Sequence, residues 1–200
     1  MKRNYALLAL LLLWPVGLAN ADIVPVGEFS GDSYEGFENI IPPGPYSGPM
    51  PIFEGAATID DNYTDPWIAV NLSSGEYELL PYNGNLMGLT PTGWTIFDFA
   101  TPVQKFGGYM GVVNVVSGGN VSFFDVDGAL IDTLAFDLPQ AQWTWAGWES
   151  DVPVSRIEVH AGANPGFTTV FDDMEVTFVP EPCALGLLAV GAVLLIGRRR

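Results

Sequence analysis

The chain has 200 residues, 48% hydrophobic and 15% charged, so it is long enough for one domain with a core and too apolar to be disordered. Its 23 Gly and 16 Pro favour turns over long helices and make an all-β domain the first expectation. Residues 22–179 carry 22 acidic side chains against only Lys105 and Arg156, a net charge of −20. Such a domain repels phosphate backbones, which excludes nucleic acid as a partner.

The N-terminus has the three regions of a secretory signal peptide. Two basic residues precede an apolar run over 6–14, and the small residues Ala19 and Ala21 follow it. We expect signal peptidase to cleave after Ala21, so that 1–21 is the signal peptide. An N-terminal membrane anchor is the alternative, but the run is about half of the roughly 20 residues that span a bilayer. The domain that starts at Asp22 is therefore expected to be exported.

The middle of the chain has the pattern of a β-sandwich. Short runs rich in aromatic and β-branched residues are separated by turn clusters at a spacing of about 8 to 12 residues. Residues 22–65 are rich in Pro and Gly and predict edge strands and long loops. Asp127 and Gly128 predict a tight hairpin turn, an interpretation preferred over a calcium loop because the closing Glu is absent. The predicted strands are 67–72, 94–99, 103–116, 120–126, 130–136, 143–148, 154–161 and 174–178.

Apolar and polar side chains alternate along the last two predicted strands, which gives each strand a buried face and a solvent-exposed face. Ile157 and Val159 point one way, opposite Arg156, Glu158 and His160, and in the last strand Met174 and Val176 share a face. We therefore predict four buried side chains: Ile157, Val159, Met174 and Val176.

The residues give little support for catalysis. A nucleophilic triad needs a base beside a serine or cysteine, and the chain has one histidine, His160, and one cysteine, Cys183. No strand carries the alternating acids of sheet-based glycosidases. We therefore expect no catalytic residues and no enzyme activity. The exported domain has no cysteine, so a disulfide cannot stabilise it.

Carboxylates are the abundant chemical groups, and four of them could lie together. If the first and last strands pair, Glu35 and Glu38 face Asp172 and Asp173. Calcium takes six to eight oxygen ligands and would relieve the repulsion among these acids, so a structural calcium is one hypothesis. The other is that all four are solvated charges at strand ends.

Three tryptophans in one predicted strand have two interpretations. Trp143 and Trp145 share a face, and Trp148 lies three residues further on. These rings could stack on sugar rings at the surface or pack in the core, and the core is the preferred interpretation.

The C-terminus predicts a short membrane helix. Pro180 and Pro182 end the domain, residues 183–197 carry no charge, and Arg198, Arg199 and Arg200 follow. Fifteen residues form about 22 Å of helix, shorter than the roughly 30 Å hydrocarbon core, so the arginines must snorkel to the interface. The positive-inside rule places the arginines in the cytoplasm and the acidic domain outside. A buried core helix is the alternative, but three terminal arginines are hard to bury.

These residues carry a resemblance to a sorting signal. The order of Pro180-Glu181-Pro182, a short apolar helix and Arg198-Arg199-Arg200 resembles the PEP-CTERM signal of Gram-negative bacteria. The resemblance implies an inner-membrane-anchored precursor with its domain in the periplasm. It also implies cleavage by a sorting enzyme of the exosortase type and delivery to the cell surface or an exopolysaccharide matrix. It covers residues 180–200 and speaks to destination only.

The domain carries a second resemblance. The segments 99–103, 119–128, 145–148 and 171–174 are similar in order and spacing to jelly-roll ectodomains that accompany this signal. The expected fold is an all-β, jelly-roll-like sandwich over 22–179, flanked by a signal-peptide helix and a transmembrane sorting helix.

Two functions follow. The first is a non-catalytic surface or biofilm-matrix protein, and the alternative is a calcium-dependent carbohydrate-binding module that contacts an exopolysaccharide or other glycan. Exposed aromatic rings in a row would favour the alternative, and burial of the tryptophans would favour the first.

Overall fold

The computed structural model describes residues 22–40, 44–61, 67–70, 79–90, 94–113, 118–161 and 168–180. Within them the regular structure is almost entirely β, with one short 3-10 turn at Phe53–Gly55. The strands are β1 Ile23–Pro25, β2 Ser33–Glu35, β3 Gly44–Ser47, β4 Met50–Ile52, β5 Ala57–Asp61, β6 Trp67–Val70, β7 Gly88–Thr90, β8 Trp94–Val113, β9 Gly119–Phe124, β10 Leu130–Phe136, β11 Thr144–Ala161 and β12 Thr168–Phe178.

The strands form two sheet halves that share the long strands β8 and β11. The first half has the order β4, β5, β8, β11, β9, β10, and uses residues 94–99 of β8 and 156–161 of β11. The second half has the order β1, β11, β8, β12, and uses residues 103–113 of β8. Beyond β12, β2 pairs with one end and β7 with the other, followed by β6 and β3. The neighbouring strands are antiparallel throughout.

Aromatic side chains fill the space between the two halves. Phe97 of the first half lies with its ring centroid 4.9 Å from that of Phe106 and 5.2 Å from that of Phe171, both in the second half. Trp148 of the second half packs against Phe123 at 5.7 Å. The two halves therefore face each other across one core, and the predicted all-β sandwich is confirmed.

The predicted burial pattern is confirmed. Ile157 is 1% exposed, and Val159, Met174 and Val176 are fully buried. Each lies on the inner face of its strand, where buried residues alternate with partly exposed ones.

The hairpin turn between β9 and β10 is also confirmed. Gly128 has a φ of 77° and donates its N–H to the Asp125 carbonyl at 3.1 Å. The Asp125 carboxylate accepts the N–H groups of Asp127 and Ala129 at 2.9 and 2.8 Å, so it closes the turn.

In two places, two strands that were predicted separately form one continuous strand. The predicted segments 94–99 and 103–116 are both part of β8, whose described part ends at Val113, and 143–148 and 154–161 are both part of β11. Pro102 and Pro153 lie where the register between β8 and β11 shifts. A proline lacks the N–H that a sheet ladder needs, but a bulge tolerates it, so the strand bends and continues.

The terminal segments 1–21 and 181–200 lie outside the described residues, and so do Ala19, Ala21, Cys183 and most of the predicted sorting signal. A membrane-spanning helix, judged by length and apolarity, is not found in the part of the chain that the structure describes.

Candidate functional site

The strand pairing brings the predicted acidic residues to one end of the sandwich. β2 pairs with β12 so that Glu35 lies opposite Met174, directly after Asp172 and Asp173. The strand that carries Glu35 is therefore a neighbour of the last strand, but it is the second strand of the chain; the first strand, β1, pairs with β11 and not with β12. Glu38 follows in the loop after β2 and reaches the loop at 82–86.

The two glutamates bind backbone amides. Glu35 accepts the N–H of Phe37 through Oε1 at 2.8 Å and that of Phe53 through Oε2 at 2.9 Å. Glu38 Oε1 accepts the N–H groups of Asn85 and Leu86 at 2.6 and 2.7 Å. Each carboxylate therefore fastens one loop to another.

Asp172 has the same role at a buried position. Its side chain is fully buried, and Oδ2 accepts the N–H groups of Tyr82 and Asn83 at 2.8 and 3.1 Å. Oδ1 accepts the N–H of Asp173 at 2.9 Å. Burial raises the pKa of Asp172 to about 7 and outweighs these hydrogen bonds, which favour the carboxylate.

Asp173 is partly exposed and bonds to side chains. Its carboxylate accepts the Tyr34 hydroxyl and, at 3.4 Å, the Asn83 amide. Partial burial and the Asp173 carboxylate raise the pKa of the Tyr34 phenol above its ordinary value.

The four predicted carboxylates form no recognisable metal cage. The described ranges contain no group of three or more His, Cys, Asp or Glu side chains that could hold a metal ion. An open pocket of about 390 Å³ lies beside Glu35, Glu38 and Glu54. The visible role of these acids is to fix loops, and calcium binding stays a prediction.

A row of aromatic rings lies next to these loops on the outer face of the second sheet half. We call Phe29, Trp145, Tyr109, Tyr82 and Trp143 the aromatic strip. Tyr82 stacks on Tyr109 with ring centroids 3.6 Å apart, and Trp145 meets Tyr109 edge to face at 5.5 Å. Phe29 meets Trp145 at 5.8 Å, and Trp143 meets Tyr82 at 6.2 Å. Tyr82 is 45% exposed and the other four rings are half-buried.

Hydrogen bonds hold three of the five rings of the strip. The indole N–H of Trp145 donates to the Val26 carbonyl at 3.1 Å, and that of Trp143 donates to the Leu80 carbonyl at 2.9 Å. The Tyr109 hydroxyl donates to Glu28 at 2.6 Å, and this bond raises the pKa of the Tyr109 phenol. The strip is therefore a preorganised surface.

Asp172 connects the carboxylates to the strip. It holds the backbone of Tyr82 and Asn83, so the Tyr82 ring lies over Tyr109. Three of the four predicted metal ligands, Glu38, Asp172 and Asp173, thus contact the loop that carries Tyr82.

The preferred core interpretation holds fully for one of the three tryptophans. Trp148 is 3% exposed and packs in the main core. Trp143 is half-buried and packs against a second buried cluster that includes Leu79 and Leu89, and Trp145 is half-buried on the outer face. Sequence reasoning missed Phe29, Tyr82 and Tyr109 because they come from two loops and a neighbouring strand. The predicted strand 103–116 contains Tyr109, and the register of β8 against β11 in the structure places this residue opposite Trp145.

A cleft adjoins the strip at Trp145. It has a volume of about 260 Å³ and lies between the β1 segment, the end of β10 and the start of β11. Its lining includes Pro25, Val26, Phe136, Asp137 and Trp145.

No protein-family model and no curated protein matches the sequence. The solved structures that match include carbohydrate-binding modules. The family 11 module of a cellulosomal cellulase of Clostridium thermocellum has 10% identity and a TM-score of 0.38, over 76% of this chain and 97% of that chain. A family 30 module from a cellulosomal cellulase of the same organism has 14% identity and a TM-score of 0.36, over 80% and 99%.

A family 29 carbohydrate-binding module is similar at 13% identity and a TM-score of 0.32, over 82% of this chain and 97% of that chain. At these TM-scores the likeness assigns neither a ligand nor a function to this chain.

Proposed function

We propose that this chain is an exported, non-catalytic surface or matrix protein whose sandwich binds carbohydrate. The observation that carries the binding function is the aromatic strip, in which Tyr82 is 45% exposed beside four half-buried rings. The faces of aromatic rings pack against the apolar C–H faces of sugars, and fixed rings lose little entropy on binding.

The proposed destination rests on the two ends of the sequence. The signal peptide at 1–21 directs export, and the sorting tail at 180–200 directs cleavage by an exosortase-type enzyme at the inner membrane. The last strand ends at Phe178, and the Val179 N–H still donates to the Pro102 carbonyl at 2.8 Å. The sandwich therefore extends to Val179, and a domain boundary next to Pro180 is compatible with this contact.

The non-catalytic assignment rests on what the polar groups contact. Glu35, Glu38 and Asp172 accept backbone N–H groups. His160, the one histidine of the sequence, lies half-buried 3.6 Å from Glu158, and burial lowers its pKa. These contacts stabilise the fold.

The binding proposal is tested with a polysaccharide panel. We expect wild-type protein to be retarded in affinity gels that contain its polysaccharide, and the Tyr82→Ala, Trp145→Ala double variant to lose at least tenfold in affinity. Loss of about 1.4 kcal/mol of ring packing corresponds to a factor of ten. Leu130→Ala, at a residue 58% exposed in β10, is the matched control and should bind normally. Retardation that is equal in all three proteins would contradict the proposal.

The sorting proposal is tested by mass spectrometry of surface-exposed protein. We expect the mature chain to lack Arg198, Arg199 and Arg200 because cleavage near Pro180-Glu181-Pro182 releases them. A mature chain that still ends in these arginines would indicate a simple membrane anchor.

A further inference from the structure

The cleft beside Trp145 combines aromatic walls with a carboxylate. Trp145 and Phe136 provide the rings, and exposed Asp137 lies on the rim. The volume of about 260 Å³ is below the roughly 300 to 1,000 Å³ of pockets for drug-sized ligands, so it suits a single sugar ring.

The charges around the cleft are negative. Asp137 lines the cleft. Glu28 accepts the hydroxyl of Tyr109, and the Tyr109 ring contacts Trp145, which also lines the cleft. The negative charge of these carboxylates favours a cationic ligand and disfavours a uronic acid or a sulfated sugar.

The basic side chains of the described residues are already engaged. Lys105 pairs with Glu149 at 3.1 Å, and Arg156 pairs with Glu158 at 2.8 Å and with Asp98 at 3.6 Å. Neither is among the residues that line the cleft. The described part of the chain therefore offers no unengaged Lys or Arg for an anionic glycan.

We propose that this cleft binds a protonated amino-sugar unit of a cationic polysaccharide. An ammonium group gains from two features of the cleft, the charge of Asp137 and the electron-rich face of the Trp145 indole. The sugar ring itself packs against Trp145 and Phe136. This inference rests on the proposed carbohydrate-binding function and adds the class of the ligand.

The experiment compares three β-1,4-linked hexasaccharides by titration calorimetry on the purified protein. They are the hexamers of glucose, of N-acetylglucosamine and of glucosamine, at a pH below the pKa of the amines. We expect the glucosamine hexamer to bind at least tenfold more tightly than the other two.

Three variants separate site binding from general attraction between opposite charges. Asp137→Asn should weaken binding of the glucosamine hexamer about fivefold, the effect of losing one exposed charge pair of about 1 kcal/mol. Trp145→Ala should abolish binding of that hexamer. Asp127→Asn removes an exposed acid at the β9–β10 turn and should leave the affinity unchanged.

The outcomes separate the proposal of an amino-sugar ligand from the more general proposal of carbohydrate binding. Equal losses in Asp137→Asn and Asp127→Asn would overturn the inference, because they indicate non-specific charge attraction. Binding of the neutral hexamers alone, lost in Trp145→Ala, would overturn it and leave carbohydrate binding standing. Binding of none of the three would overturn the inference, and the polysaccharide panel would then decide the function separately.

Discussion

Asp172 is a buried acid that stabilises a surface loop. It receives three backbone N–H groups, two of them from the loop that carries Tyr82. Burial nevertheless raises its pKa to about 7, above the ordinary value of 3.8. The folded state therefore binds a proton more tightly than the unfolded state at this residue.

The shift predicts a pH dependence of stability. Because the folded pKa is raised, the contribution of Asp172 is fully present below about pH 4 and is lost as the pH rises towards about 7. We expect the unfolding free energy of the wild type, minus that of Asp172→Asn, to fall by about 2 to 4 kcal/mol as the pH rises over this range. Urea denaturation of both proteins at several pH values measures it, and a constant difference would contradict the assigned pKa.

Ile157 tests the orientation of β11. Its side chain is 1% exposed between the sheet halves. Ile157→Ala removes buried methyl and methylene groups and leaves a cavity, so we expect a loss of about 2 to 5 kcal/mol in unfolding free energy. The control Leu130→Ala, at an exposed position, should cost less than about 0.5 kcal/mol. Chemical denaturation compares them, and similar small losses would mean that β11 is inverted.

At the scale of elements, β8 and β11 organise the sandwich. Each takes part in both sheet halves and bends where Pro102 and Pro153 interrupt the ladder. This bend places Phe97 across the core from Phe106, although both belong to β8. It also leaves Tyr109 and Trp145 side by side on the outer face.

The short strand β1 makes a prediction about the mature N-terminus. The Asp22 N–H donates to Asp151 Oδ1 at 2.9 Å, and Ile23 pairs with Ser150 of β11. If signal peptidase cleaves after Ala21, this nitrogen becomes an α-ammonium group and the hydrogen bond becomes an ion pair. We expect N-terminal sequencing of the mature protein to start at Asp22.

The same contact has an energetic consequence. Exposed ion pairs contribute about 0.2 to 1 kcal/mol, so Asp151→Asn should lower the unfolding free energy by no more than that. An equal cost in a chain that keeps Ala21 would show that the ammonium group adds nothing to the hydrogen bond.

At the scale of the whole molecule, charge is the dominant feature. Residues 22–179 have a net charge of −20 and no cysteine, so self-repulsion is opposed by the core and by local hydrogen bonds. A divalent cation would relieve this repulsion, which is the physical basis of the calcium hypothesis.

The calcium hypothesis makes a distinct prediction. If Glu35 or Glu38 binds calcium with Asp172 and Asp173, saturating calcium should raise the melting temperature by several degrees, since 100 times the dissociation constant adds about 2.7 kcal/mol. The rise should be far smaller in the Asp172→Asn, Asp173→Asn double variant. Calorimetry measures both, and equal rises would reduce the effect to charge screening.

The sequence by itself determined the features that depend on residues close together in the chain. The alternation of Ile157 and Val159, the turn at Gly128 and the β class follow from side-chain period and backbone freedom, which act over a few residues. The tail and signal segments are likewise local patterns that predict a destination.

Tertiary structure alone decided which distant residues meet. The strip joins Tyr82, Tyr109 and Trp145 from a loop and two strands, and only strand register sets their contacts. The sequence placed Glu35 beside the last strand, which carries Asp172, but it could not show that their oxygens bind backbone N–H groups of different loops. Which loop amides reach a carboxylate depends on how the chain crosses the sheet end, and that is a property of the packed fold.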